Sequence, residues 1–198
     1  MQKLFLLIGS ICVYYSSGKG DRMVCPSWLS FILYNPIRKA CTDRERILDE
    51  SGITGDSVVL EVGAGNGFLT EALAQRARKV YAVELQEKMI RKLYRRVRQY
   101  GELVSIIHGD IASLVLREAA DVCLLYYSFH EVDRKREAAD VISMAVRAGG
   151  ILSIYEPTIE VGKLQMQETT GLFAQRGFAA EAVRNGFLTR FARLRKTG

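Results

Sequence analysis

Cysteine, histidine and long apolar runs are all scarce in this chain of 198 residues. The four cysteines, Cys12, Cys25, Cys41 and Cys123, form no C-x-x-C pair and have no histidine cluster nearby, so neither a zinc site nor a disulfide framework is expected. A reducing, cytoplasmic setting fits that pattern best. The longest apolar run, Leu4 to Tyr15, follows Lys3 and precedes Ser16, Ser17 and Gly18. It falls well short of the roughly 20 residues that span a bilayer. It is read as a helix packed on the domain or a weak membrane-surface contact through residues 4–15, with an export signal as the lesser alternative. Charge of one sign does not dominate either. Lys and Arg number 28 against 22 Asp and Glu, a net +6 that permits attraction to anionic partners without demanding it.

What is present is one stretch of concentrated information. Val58 to Val62 reads as a buried parallel strand, after which Gly63, Gly65 and Gly67 let the chain turn tightly where a ligand meets the backbone. From Leu69, apolar Leu73 and Ala77 recur at helical spacing, and Lys79 to Val83 forms a second strand ending in Glu84. An acid closing that strand sits where it can accept hydrogen bonds from the two hydroxyls of an adenosine ribose. A dinucleotide fingerprint places its third glycine at position 68, where this chain has Phe68, so the spacing disfavours NAD.

The rest of the chain alternates. Residues 1–40 are expected to form a hydrophobic extension with a lid segment at 25–40, interrupted by Asn35 and Pro36; residues 41–198 form the main domain. Thr42 and Glu45 suggest a capping box for a helix ending at Ser51 and Gly52. A basic helix is expected over about 86–100, with Met89, Ile90, Leu93 and Val97 facing the core. Strands follow at 103–108 and 121–127, then a helix at 131–147 closed by Gly149 and Gly150, a strand at 151–155, and a helix at 162–176. Phe178 to Leu194 reads as a hairpin turning at Asn185 and Gly186.

The glycine loop, Glu84, the HGD of 108–110, the YYSFHEV of 126–132 and the RAGGILSIYEP of 147–157 together resemble the class I S-adenosylmethionine-dependent methyltransferases, over about residues 41–195. They are most like the small-molecule "type 11" group. The resemblance implies an α/β fold: a Rossmann-like seven-stranded sheet, parallel except for an antiparallel last strand, with helices on both faces. It also implies S-adenosylmethionine as cofactor. Glu61 then orients its methionine end, the backbone of Gly63, Ala64, Gly65 and Gly67 packs against it, and Glu84 holds the ribose. Asp110 takes the adenine amino group, with helix N-capping as the alternative. Phe68, Leu85, Ile111 and Tyr127 complete the implied cofactor set.

Methyl transfer from a sulfonium is an in-line displacement, so alignment matters most and a base is needed only if the acceptor must lose a proton. His130, just past the fourth strand and with an ordinary imidazole titration, is the candidate base; the alternative is a structural or cofactor-facing polar group. Glu131 either orients His130 or a substrate amine, or opens the next helix, where an acid suits the dipole. Tyr34, Asn35, Tyr127 and Ser128 are candidate acceptor-pocket residues.

Residues 61–84 also resemble the cofactor region of ribosomal RNA adenine dimethylases, and the basic helix suits a phosphate backbone. The N-L-P-Y type motif with which those enzymes grip a flipped base is replaced here by YSFH, and no D-P-P-Y or Pro-Cys motif occurs. A small-molecule methyl acceptor is therefore expected, and nucleic acid is not the expected partner. The alternatives are an RNA methyltransferase and an inactive cofactor-binding scaffold. Arsenite as acceptor needs exposed thiols, whereas Cys123 lies in a central strand and is expected to be buried.

Overall fold

The computed structural model describes residues 42–198. The lid segment, with Tyr34 and Asn35, and the apolar run 4–15 lie outside the described residues. Among the described residues, no helix is long and apolar enough to cross a membrane.

The elements run α1 (Arg44–Glu50), β1 (Val58–Val62), α2 (Thr70–Arg76), β2 (Lys79–Glu84), α3 (Glu87–Val97), β3 (Val104–His108), β4 (Ala120–Tyr126), α4 (Lys135–Ala145), β5 (Val146–Pro157), α5 (Lys163–Ala174), β6 (Phe178–Asn185) and β7 (Thr189–Lys196). The strands form one seven-stranded sheet in the order β3-β2-β1-β4-β5-β7-β6. β1 to β5 pair in parallel, and only β7 runs against its neighbours, β5 and β6. This is the architecture the sequence implied, antiparallel last strand included.

Strand alternation explains the layers. In β1, Leu60 and Val62 face one core with Ile142 of α4 and Phe173 of α5; Val59 faces the other, with Leu48 of α1, Leu73 of α2 and Leu93 of α3. In β4, Cys123 and Leu125 take the first face, Val122 and Leu124 the second. Both faces of the central strands are covered, which is why they read as largely apolar runs, broken only by Glu61 in β1 and Asp121 in β4. Cys123 is fully buried, and burial raises its thiol pKa, so it is no ligand for an arsenical.

Four local expectations differ. The cap of α1 is Asp43, not Thr42: its carboxylate accepts from the Arg46 N–H at 2.9 Å, a stronger acceptor at a helix N-terminus than a hydroxyl. Gly149 and Gly150 do not end a helix. α4 stops at Ala145 and β5 starts at Val146, and the glycines sit in an irregular stretch of β5, where a Cβ on Gly150 would lie 2.9 Å from the Asp121 carbonyl. The helix over 111–117 that the alternative reading of Asp110 would open is a single 3-10 turn, Ile111–Ser113, which Asp110 does cap. The helix placed at 131–147 begins only at Lys135, leaving Glu131 in a separate 3-10 turn, Phe129–Glu131.

Candidate cofactor and acceptor site

All the parallel strands end on one edge, and the turns leaving them bring the candidate residues together. The three glycines of the first turn all have positive φ, but what surrounds each differs. A Cβ on Gly63 would lie 2.5 Å from that of Ser128, and one on Gly67 2.8 Å from Cδ1 of Leu93. Both positions are glycine because protein fills the space. At Gly65 nothing comes nearer than the Gly63 carbonyl at 4.0 Å, so its Cα faces open space. That is the cradle a cofactor requires.

Glu84 closes β2 beside it. One carboxylate oxygen accepts from the Gly65 N–H and the other from the Gln86 N–H, each at 2.7 Å. Two of its four lone-pair sites are thus used to fix the carboxylate, and two remain for ligand hydroxyls. Gly63 and Ala64 donate to the Val83 carbonyl, tying the loop to the same strand end. Glu61, 3 % exposed, accepts from the Thr70 hydroxyl at 2.6 Å. Burial pushes its pKa up to about 8, against the Thr70 hydrogen bond and with a smaller push from the Glu84 charge.

At the end of β3, Asp110 caps the 3-10 turn through the Ala112 N–H at 2.9 Å and takes Arg134 on its other oxygen at 2.8 Å. The Arg134 hydrogen bond holds its pKa below the usual value. Both readings of Asp110 remain compatible with this geometry, because each oxygen keeps a lone pair. Leu85 is 54 % exposed, an apolar surface beside Glu84. Phe68 and Ile111 instead belong to the two cores, at 6 % and 4 % exposure.

The turn after β4 is strained. Tyr127 has φ 55, unusual for a residue with a side chain, while its ring stacks on Tyr126 at 4.3 Å and its hydroxyl meets that of Thr189. Ser128 donates to the Val62 carbonyl at 2.7 Å and is 9 % exposed, so it supports the glycine loop instead of lining an open pocket.

His130 departs most from expectation. Its Nδ1 lies 2.5 Å from Glu156 and its Nε2 2.8 Å from Glu160, with Glu131 4.0 Å away. Burial opposes the charged ring, but the hydrogen bonds to Glu156 and Glu160, with their charge, outweigh it and push its pKa up to about 10. The ordinary imidazole titration assumed for a base is therefore lost: at neutral pH both nitrogens carry protons. Glu156 and Glu160 were missed by sequence reasoning. The available signal was an acid closing β5, as Glu84 closes β2, in the segment EPTIE.

A seven-stranded sheet with these turns at one strand edge is the fold of the class I S-adenosylmethionine-dependent methyltransferases. Residues 60–154, just under half of the chain, match the type 11 methyltransferase family described as "Methyltransferase domain". A solved S-adenosylmethionine-dependent methyltransferase from Aquifex aeolicus shares the fold with TM-score 0.76 at 20% identity, covering 87% of this chain and 99% of that one. The N-methyltransferase NodS from Bradyrhizobium japonicum, in complex with S-adenosyl-L-homocysteine, does so with TM-score 0.65 at 17% identity, covering 81% and 87%. Among curated relatives, the rRNA adenine N-6-methyltransferase of Bacillus licheniformis is 44% identical over 72 residues. That match covers 36% of this chain and 25% of the relative, so the chain spans about a quarter of the relative's length. A ribosomal RNA small subunit methyltransferase A from Syntrophus aciditrophicus is 37% identical over 67 residues, 34% of this chain and 24% of the relative. These names lend no support to the expectation that nucleic acid is not a partner.

Proposed function

We propose that the chain transfers the methyl group of S-adenosylmethionine to a small-molecule acceptor by in-line displacement. The observation that carries the cofactor half is the open space at Gly65 beside a Glu84 carboxylate that Gly65's own N–H holds. When bound, the sulfonium supplies an activated methyl group; the chain's residues supply place and direction. Glu84 would hold the ribose hydroxyls with its two remaining acceptor sites, Leu85 and Asp110 would meet the adenine, and Glu61 would orient the methionine end from behind the loop through Thr70. Cytoplasmic location, and residues 1–40 as an extension bringing Tyr34 and Asn35 over the acceptor, belong to the same reading.

The acceptor half rests on the charge at the ends of β4 and β5. Glu156 and Glu160 hold the His130 imidazolium between them, with Glu131 4.0 Å away, so carboxylates gather at this edge, which suits a phosphodiester backbone less well than the basic face of α3 does. With His130 protonated, no histidine base stands here, so the acceptor arrives already nucleophilic or loses its proton to solvent after transfer. The second reading, RNA as acceptor, is favoured by the named relatives and by Lys88, Arg91, Lys92 and Arg95 on α3, which line a shallow hollow of about 280 Å³.

Calorimetry with S-adenosylmethionine on the full chain tests the first half: binding is expected, and Glu84→Ala weakens it by about 1.5–3 kcal/mol through lost charge-assisted bonds. Unchanged affinity removes Glu84 from the site. Incubating the protein with labelled cofactor and either metabolite extract or purified RNA tests the second half, and label in the RNA alone overturns it.

A further inference from the structure

The turn that leaves β5 is fixed on two sides. Toward β7, Thr158 donates from its N–H to the Leu188 carbonyl at 3.1 Å and from its hydroxyl to the Phe187 carbonyl at 2.8 Å, while Arg190 donates to the Val161 carbonyl at 2.7 Å. Internally, the Glu160 and Val161 N–H groups both donate to the Pro157 carbonyl. Toward β4 the link is His130. Glu156, 2 % exposed, accepts from the His130 backbone N–H at 3.1 Å as well as from its ring, which fixes the imidazole plane against the end of β5. The opposite ring nitrogen then reaches Glu160, four residues further along the chain, at 2.8 Å.

We infer that His130 is a positioning residue: its ring bridges buried Glu156 to Glu160, straps the turn 157–161 across the carboxyl end of β4, and so fixes one wall of the acceptor side. The acceptor side itself is placed there by the function proposed above. An imidazole donates from both nitrogens only when protonated; a neutral ring satisfies one carboxylate and turns a lone pair on the other. Among the described residues, the charged groups facing the ring are Glu131 from its own turn, Glu156 from β5 and Glu160 from the turn after it, all of one sign, so they reinforce the protonated form. Glu156 has no other ionic partner among the described residues, which makes the strap costly to break.

The test uses the full chain and needs no acceptor. The chain has two histidines, His108 and His130, so single substitution assigns their ring nitrogens in a ¹⁵N spectrum. At pH 7.5 both His130 nitrogens should carry protons, and they should lose one only on strongly alkaline titration; a neutral tautomer at pH 7.5 overturns the strap. Hydrogen exchange at the amides of residues 158–161 should speed up by about tenfold or more in His130→Gln. Because that variant leaves a buried carboxylate without its partner, His130→Gln with Glu156→Gln serves as a second variant whose fold is relieved of the unpaired charge. Faster exchange there as well supports the strap, and unchanged exchange in the double variant overturns it. Failure of the wild-type chain to bind S-adenosylmethionine would count against the proposed function alone, since neither readout here depends on cofactor.

Discussion

At the scale of single residues, the three glycines of the first turn separate into two kinds, and substitution should separate them too. Gly65→Val places a branched side chain at φ 56 in open space, so the expected loss is cofactor binding, with a fall in stability limited to backbone strain. Gly67→Ala instead drives a methyl group to 2.8 Å from Leu93 in the core, and its main effect should be on the unfolding midpoint. Calorimetry and thermal melts on the two variants check this, and a Gly65→Val protein that binds S-adenosylmethionine normally would reduce the loop to a turn. Glu61 offers a sign-specific prediction. Its folded pKa of about 8 exceeds the ordinary 4.5, so the folded state holds a proton that the unfolded state has released between those values. Stability therefore falls as pH rises from about 4.5 to about 8. Glu61→Gln should leave the midpoint unchanged at pH 4 and raise it at pH 8 by several degrees, since 1 kcal/mol moves it by about 2–4 °C in chains of 150–250 residues. A midpoint that does not rise at pH 8 means the carboxyl is ionised in the fold.

At the scale of elements, α1 is joined to the far side of the sheet by one carboxylate. Glu50 takes Arg184 of β6 through both of its oxygens, at 2.7 and 2.8 Å, and accepts from the Tyr155 hydroxyl of β5 at 3.1 Å. The Arg184 hydrogen bond, outweighing burial, lowers its pKa to about 2, with Arg46 and Tyr155 adding to the effect. A depressed carboxylate contributes stability that is fully present above the unfolded value of about 4.5 and is lost as pH falls toward 2. Glu50→Gln should therefore melt below wild type at pH 7, and the two melting curves should converge between pH 4.5 and 2. Curves that stay equally apart throughout would mean the contact stabilises through packing and not through charge.

For the molecule as a whole, charge is divided between regions. The net +6 includes Lys88, Arg91, Lys92 and Arg95 on α3, between the β2 and β3 end of the sheet and solvent, whereas the β4 and β5 end gathers carboxylates around His130. A polyanion is thus attracted to a face two strands away from the acceptor side. Single-stranded RNA should bind weakly, with log K falling against log salt at a slope of about −3 for four contacts, and Lys88→Glu with Arg95→Glu should reduce that slope to about −1.4. Tight binding to one RNA that survives physiological salt would favour RNA as acceptor.

Much of this fold was legible in the chain alone, because its signals are local. Val58 to Val62 and the strand expected at 121–127 are mostly apolar, each with a single acid, Glu61 and Asp121, and glycine spacing with Glu84 depends only on residues close in sequence. The hairpin at Asn185 and Gly186 followed from the same kind of evidence, and the antiparallel last strand from the family resemblance. Where neighbouring signals competed, two expectations failed: the cap fell to Asp43 over Thr42 locally, as the stronger acceptor, and pairing with β4 placed Gly149 and Gly150 inside a bulged strand instead of at a helix end. The protonation of His130 was decided by tertiary structure alone. Its partners lie 26 and 30 residues away, and a side chain's charge state is set by what folding places within about 3 Å, which no spacing along the chain records.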